Sequence, residues 1–528
     1  MKAGTIPILI GVTGHRAIRE ADRAVLFDAV TRELTALKAR CPHSELVMLN
    51  SFAEGADQLC AQAAHVLGIP LIAVLPMPQE DYEKDFSGAA LTAFREALQT
   101  AEQVFVAPHI EAEPESFTRS FGYRQAGIYV SEHAHVLLAL WDGQPGAGKG
   151  CGTADAVEFF LRGAYRPMYG APILNAGVVL HIQTPRGDSQ APAGKVQVLG
   201  NRDAWEEECS RIEEFNRLAA AHPTDAAPIL PKDREPDAAL DRTEALYAAA
   251  DAQSLRYAAI YRRVLAWIAI LSMGITVSFL LYDKAQLPWM MVLCGLSFLA
   301  AWLVLRFAKR SACHRRYITY RALAESLRVQ AFLRYAGCKT EAAVLLPWTQ
   351  QEENPWIAAA VHAVNIGDEP KQQREIRCCW VEAQRDYHAA AAKKAERERT
   401  RSERVVRIAL ILSLSLYGIS LVLELLRGTI LPIPPLVTQT DGIRRIMGFV
   451  WGGISAATLF ISNYYGRLSL LRSIDDHKKM ARFYARMDDR LKLFGPSEEV
   501  LMQLAREELI ENGNWRSYQQ DNAPDLNI

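Results

Sequence analysis

The sequence predicts an α/β domain at the N-terminus joined to an all-α membrane domain with four transmembrane helices in two hairpins. The first third of the chain alternates short apolar runs with helix-like stretches. Two uncharged runs of 19 residues then stand back to back, and a second pair of long uncharged runs follows later. Dense Arg and Lys flank all four. At 528 residues the chain is too long for one hydrophobic core, so several domains are expected.

The strand-like runs are Pro7–Val12, Leu46–Leu49, Leu71–Leu75, Val104–Val106 and His135–Leu140, with helix-like Ala21–Ala39, Ala56–Leu67 and Ala90–Leu98 between them. This alternation is that of a parallel sheet covered by helices on both faces. Ligands of such sheets sit beyond the carboxyl ends of the strands. The opening MKAGTIPILIGVTGHR has an apolar run too short for a signal sequence and no small-residue cleavage site. It reads as the first strand, which keeps the domain in the cytoplasm.

Three strand ends carry candidate binding residues. After the first strand come Gly11, Thr13, Gly14, His15 and Arg16; after the second, Ser51, Glu54, Gly55 and Asp57. The last strand runs into Trp141, Asp142 and Gly143. Gly146, Gly148, Lys149, Gly150, Cys151, Gly152 and Thr153 follow, ahead of a helix over Ala154–Leu161. Gly11 and Gly14 are expected to let backbone approach a ligand, and Arg16 can grip a phosphate with both arms of its guanidinium. A Gly-rich loop at a helix start offers unpaired N–H groups and the positive end of the helix dipole. With Arg124, on the segment before the last strand, these residues predict a pocket for a phosphorylated, nucleotide-type small molecule. His15 alone is no catalyst.

Gly143–Lys149 fits G-x-x-x-x-G-K by count, yet Gly150 stands where the magnesium-binding hydroxyl belongs and the loop follows a late strand. A P-loop NTPase is thereby excluded. No catalytic residue, metal or resident cofactor is expected. The nine cysteines form neither CxxC pairs nor Cys/His ligand spacings, and read as free thiols of a reducing cytosol. A formal net charge of −1 argues against a general nucleic-acid binder.

In the second half, Val264–Tyr282 and Leu287–Leu305 are the paired runs, separated only by Asp283–Gln286. Each spans about 28 Å as a helix, close to the hydrocarbon thickness of a bilayer. Ile408–Leu423 and the 21 residues Ile446–Gly466 form the second pair, joined by a connector whose Pro432, Pro434 and Pro435 make it irregular. Arg256, Arg262 and Arg263 precede the first run, and Arg306, Lys309, Arg310, Arg315 and Arg316 follow the second. Arg397, Arg399, Arg401, Arg404 and Arg407 precede the third; Arg467, Arg472, Lys478 and Lys479 follow the fourth. All four clusters fall on one side when both hairpins point outward. They outnumber Arg427, Arg444 and Arg445 in the second outer loop, so both termini are expected in the cytoplasm. Glu424 is the one ionisable residue interrupting an apolar run, at the outer interface where a carboxylate reaches water. So few intramembrane charges argue against a transporter.

The expected division is a nucleotide-binding domain over 1–185, a linker with a short helix over 186–241, a first hairpin with flanking helices over 242–345, a connector over 346–379, a second hairpin over 380–510 and a tail over 511–528. The hairpins read as a loose internal repeat. Each has a polar, Ala-rich helix leading in (Ala252, Gln253 and Tyr257; Ala383, Gln384 and Tyr387) and a charged amphipathic helix leading out, from His314 and from His477.

GVTGHR, SFAEGADQL and GKGCGTADAVEF resemble the signatures of SLOG domains, the Rossmann-like superfamily that includes the DNA-processing protein Smf and the LOG phosphoribohydrolases. The resemblance covers residues 5–185. The membrane half is similar in architecture to SLATT domains, two-helix membrane effectors found with SLOG sensors in bacterial conflict systems. LOG enzymes carry a PGGxGTxEE-like motif. Gly150-Cys151-Gly152-Thr153 matches its GxGT part, while Lys149 replaces a glycine, and Asp155 and Ala156 stand where two acidic residues would be. Ala156 removes a carboxylate that the hydrolase chemistry needs, whereas phosphate binding needs only the loop backbone. The resemblance therefore implies a sensor of a nucleotide-derived signal, homo-oligomeric in a bacterial inner membrane and acting in antiviral defence. The alternative it implies is a membrane-anchored, LOG-like hydrolase of a nucleotide or NAD.

Overall fold

The computed structural model describes residues 1–109, 111, 117–146, 150–163, 177–187, 189–224, 228–371, 376–429, 448–458 and 470–521. They form two compact units: one of 1–253, 320–376 and 496–516, the other of 254–319, 377–495 and 517–528.

In the first unit, seven strands make one sheet: β1 (Ile8–Gly14), β2 (Leu46–Asn50), β3 (Leu71–Leu75), β4 (Gln103–Val106), β5 (Val136–Trp141), β6 (Val178–Gln183) and β7 (Val196–Gly200). Their order is β4-β3-β2-β1-β5-β6-β7. Every pairing is parallel except that of β6 with β7. β1, β2, β3 and β5 are buried nearly throughout, as expected of strands with helices over both faces. The α/β, Rossmann-like class is therefore correct for the N-terminal part. Between the strands run α1 (Arg23–Arg40), α2 (Ala56–Val66), the single turn α3 (Gln79–Tyr82), α4 (Gly88–Thr100), α5 (Arg119–His133) and α6 (Thr153–Arg162).

The stretch read as a linker holds β7 and α7 (Arg202–Ala221). Trp205, Ile212 and Phe215 of α7 are core residues. Asn216 accepts from the Ile6 N–H and donates to the Ile6 carbonyl, both at 2.8 Å, pinning α7 to the entry of β1.

Four more segments complete this unit. They are the first part of α8 (Ala238–Ala285), most of α10 (Cys313–Tyr335), the short α11 (Ala342–Leu345) and α12 (Trp348–Glu353) with α13 (Pro355–Val364), and α17 (Glu498–Asp521). α10, read as a charged amphipathic helix, has Ala322–Ala324, Leu327, Val329 and Ala331–Leu333 buried, and two of its arginines are neutralised inside. Arg328 pairs with Glu325 and Glu508, and Arg334 with Asp237 at 2.7 Å. Removing one partner of such a pair strands a buried charge, so they fix which helices meet more than they add stability.

In the second unit the rest of α8 and α9 (Trp289–Ser311) form a hairpin whose turn includes Gln286 at φ 51°. These two helices are long and apolar enough to cross a membrane. Only 17% and 11% of their apolar windows are buried inside the chain, unlike the core helix of a water-soluble protein. Trp267, Ile270, Phe279, Val292, Leu296, Phe298, Leu299 and Trp302 face outward. Small residues meet at one point between the helices, Gly274 lying against Ser297.

α14 (Ala383–Thr429), α15 (448–458) and α16 (Leu470–Phe494) make the second hairpin. The third apolar run lies in α14, where Ile408, Ile411, Leu414, Ile419 and Val422 are exposed. Ser413 and Ser455 meet at 2.8 Å across the hairpin. Tyr261 lies tilted against His314 in the first hairpin, with ring centres 4.5 Å apart, and Tyr387 meets His477 edge-on at 6.3 Å in the second. The Glu424 and Arg427 side chains, the proline connector with Arg444 and Arg445, and the rest of the fourth run lie outside the described residues. So do Gly148 and Lys149.

Candidate functional site

The carboxyl ends of β1, β2 and β5 meet along the middle of the sheet, because β1 lies between the other two. The His15 N–H donates to the Leu140 carbonyl at 3.0 Å, and the Ala56 N–H to the His15 carbonyl at 3.1 Å. The first two predicted loops and Asp142 are thus one structure.

The glycines of this junction serve the chain's own packing. A Cβ on Gly11 would lie 2.8 Å from Val130 and 2.9 Å from Ala134, so it is the close approach of α5 that requires a glycine there. A Cβ on Gly14 would lie 2.3 Å from that of Ala56. Gly55 has φ 89° and stands against the Arg16 carbonyl, 2.1 Å from where its Cβ would be. Ser51 is likewise occupied, its hydroxyl donating to the Val74 carbonyl at 2.8 Å. Glu54 is exposed and Thr13 half-buried.

His15 is buried, and the Arg186 guanidinium lies 2.7 Å from its Nδ1. Arginine only donates, so Nδ1 accepts, while Nε2 stands 3.1 Å from the Asp142 backbone N–H and 3.3 Å from Asp142 Oδ1. Burial, and then the Arg186 charge, hold the imidazole below its ordinary pKa against the opposing pull of Asp142. At neutral pH His15 is a neutral strut between Arg186 and Asp142. Arg186, 171 residues away, was not legible in the sequence.

Arg16 is an exposed cation at the mouth. Its side chain is 51% exposed, 4.0 Å from Asp85, with the guanidinium 4.9 Å from the centre of the Tyr123 ring. Beneath it Asp57 is fully buried, and its Oδ2 accepts the Ala53 N–H at 3.3 Å. Burial pushes its carboxyl up to about 7, with the Ala53 N–H and Arg16 opposing.

The third loop is tied elsewhere. Arg124 grips both oxygens of Glu111 at 2.8 and 2.9 Å, and its other arm donates to the Gly150 carbonyl at 3.0 Å. The fork predicted for phosphate thus holds a carboxylate of this chain. At the start of α6 the Gly152 N–H donates to Asp155 Oδ2 at 2.8 Å, so that helix terminus also carries an internal anion, one residue before Thr153.

A second cluster was not predicted. His133, Glu341 and His362 converge within the first unit, offering ligand atoms that all lie within 4.8 Å of one another. No protein-family model matches this chain, and no curated protein is similar to it.

Proposed function

We propose that this protein is a membrane-bound sensor-effector of antiviral defence. A nucleotide-derived signal binds at the carboxyl ends of β1 and β5, and the helical half responds by permeabilising or remodelling the membrane. The reading is supported above all by the sheet order. β2, β3 and β4 lie on one side of β1, and β5, β6 and β7 on the other. Ligands of open α/β sheets bind in the crevice at such a reversal, and here it is bordered by His15, Arg16 and Asp142. An exposed arginine over an aromatic ring suits a phosphate beside a stacking base. Phosphate reaching Arg124 or the start of α6 must displace Glu111 or Asp155. That exchange is a means by which binding is felt beyond the pocket.

Lipid is the natural cover for α8, α9 and the exposed run of α14, and the fourth run, Ile446–Gly466, completes two hairpins in this proposal. Four spans are too few for a wide aqueous pore, so several chains assemble in the inner membrane. The cation clusters put both termini in the cytoplasm. Single cysteines at Asp283 or Gln286, on a cysteine-free background, are expected to react with an impermeant maleimide in intact spheroplasts. Labelling only near Arg310 or Arg472 would invert the topology.

The binding step is tested on the full chain in nanodiscs with mono-, di- and triphosphate nucleosides, cyclic dinucleotides and NAD. Loss of one charge-assisted phosphate contact is expected to weaken binding about tenfold or more in Arg16→Ala. Unchanged affinity would move the site. Dye release from proteoliposomes should rise sigmoidally with the bound nucleotide and vanish in Arg16→Ala. Nucleotide cleavage without any change in permeability would replace the effector reading with the anchored hydrolase.

A further inference from the structure

We infer that His133, Glu341 and His362 form a binding site for one divalent transition-metal ion, zinc foremost. His133 ends α5, Glu341 precedes α11, and His362 lies within α13. Both histidines are buried, and Glu341 is partly so. His133 Nε2 is 3.2 Å from Glu341 Oε1, and His362 Nδ1 touches Glu341 Oε2. The edge of a zinc tetrahedron with ligand bonds of about 2.0–2.1 Å is about 3.3–3.4 Å, so the first distance already matches one edge.

The hydrogen-bond inventory points the same way. His133 Nδ1 is 2.8 Å from the Tyr129 carbonyl, which can only accept, so the ring proton sits on Nδ1. The lone pair of Nε2 is then aimed at Glu341, another acceptor. Without a cation, two lone-pair atoms face each other unless His133 takes up a second proton and forms an ion pair with Glu341. A metal ion between them satisfies both. The Nδ1–H to carbonyl bond is the outer contact that orients metal-binding histidines. Tyr129, stacked on His133 with ring centres 4.0 Å apart and accepting the Gly367 N–H at 3.2 Å through its hydroxyl, holds the ring in place. Two imidazoles and a carboxylate suit zinc or iron(II) and leave a coordination position open. The ion would tie the last turn of α5, next to β5, to the helical segment 341–364 of the same unit.

The test uses the full chain in detergent, stripped with a chelator and titrated with cobalt(II) and then zinc. One cobalt per chain is expected, with the visible ligand-field bands of a tetrahedral ion and no thiolate charge-transfer band, displaced by one zinc. This spectrum needs no variant. Glu341→Gln keeps a hydrogen-bonding amide, and His362→Gln removes one ligand. Each should weaken zinc binding at least about 100-fold, with circular dichroism checking that the variant is folded. No uptake by the unaltered chain, a thiolate band, or equal binding by both folded variants would overturn the site.

Discussion

Gly55→Ala is expected to destabilise the sheet domain by about 4 kcal/mol or more, in the class reserved for backbone strain and core clashes. The residue has φ 89° and ψ −112°, a region that side-chain-bearing residues avoid. The added methyl would also stand 2.1 Å from the Arg16 carbonyl oxygen, which is main chain and cannot swing away. Gly68→Ala is the control. It shares a positive φ of 63° but has nothing within 4 Å of the added atom, so only the left-handed penalty of about 1–2 kcal/mol remains. Hydrogen exchange of peptides covering β1 and β2 separates the two. Equal protection in both variants would mean that the junction of the first two loops is not packed as described.

The second large effect is a pH dependence located at Asp57. Its folded carboxyl titrates at about 7, against the ordinary 3.8, because it is buried. Between these values the folded chain holds a proton that the unfolded chain has lost, so stability falls as pH rises through this window. Three pK units correspond to about 4 kcal/mol as an upper figure. Asp57→Asn cannot lose that proton and should flatten this part of the stability–pH curve between about pH 4 and 7, gaining on the parent as the pH rises. The slope is the readout, since placing the buried amide costs the same at every pH. Identical slopes would place Asp57 in water. The same group bears on binding. An anionic phosphate at Arg16 opposes ionisation of Asp57, so nucleotide binding should take up protons and be tighter at pH 6 than at pH 8. Calorimetry in buffers of different ionisation enthalpy reads that uptake directly.

Much of the site was legible as position. β3 was read residue for residue, and β1, β2, β4 and β5 to within two residues at each end, because a buried parallel strand is a short apolar run and needs no distant partner to be recognised. β7 was missed: its alternating residues are partly exposed at the sheet edge, and Gly and Pro around it read as linker. α5 was missed because its polar and apolar residues follow no clear helical stripe, several polar ones being buried against the rest of the unit. The packing roles of the glycines were not legible for another reason. A glycine after a strand looks the same whether it makes room for a ligand or for a neighbouring helix, and only the atoms around the absent Cβ distinguish the two.

By itself the sequence determined the α/β alternation, the three polar strand ends and the long apolar helical runs. Each follows from residues that are neighbours along the chain, through periodicity, run length and flanking charge. Tertiary structure alone decided the sheet order that puts β1 beside β5, and the contacts made across it. Among these are the pairing of His15 with Arg186, the capture of Arg124 by Glu111, and the approach of the Cys41 and Cys209 sulfurs to 2.9 Å across 168 residues. It likewise gathered His133, Glu341 and His362 from positions 208 and 21 residues apart. The physical reason is that a polar side chain can be buried only where a partner meets it, and a partner brought by the fold from a distant segment leaves no mark on the local sequence pattern.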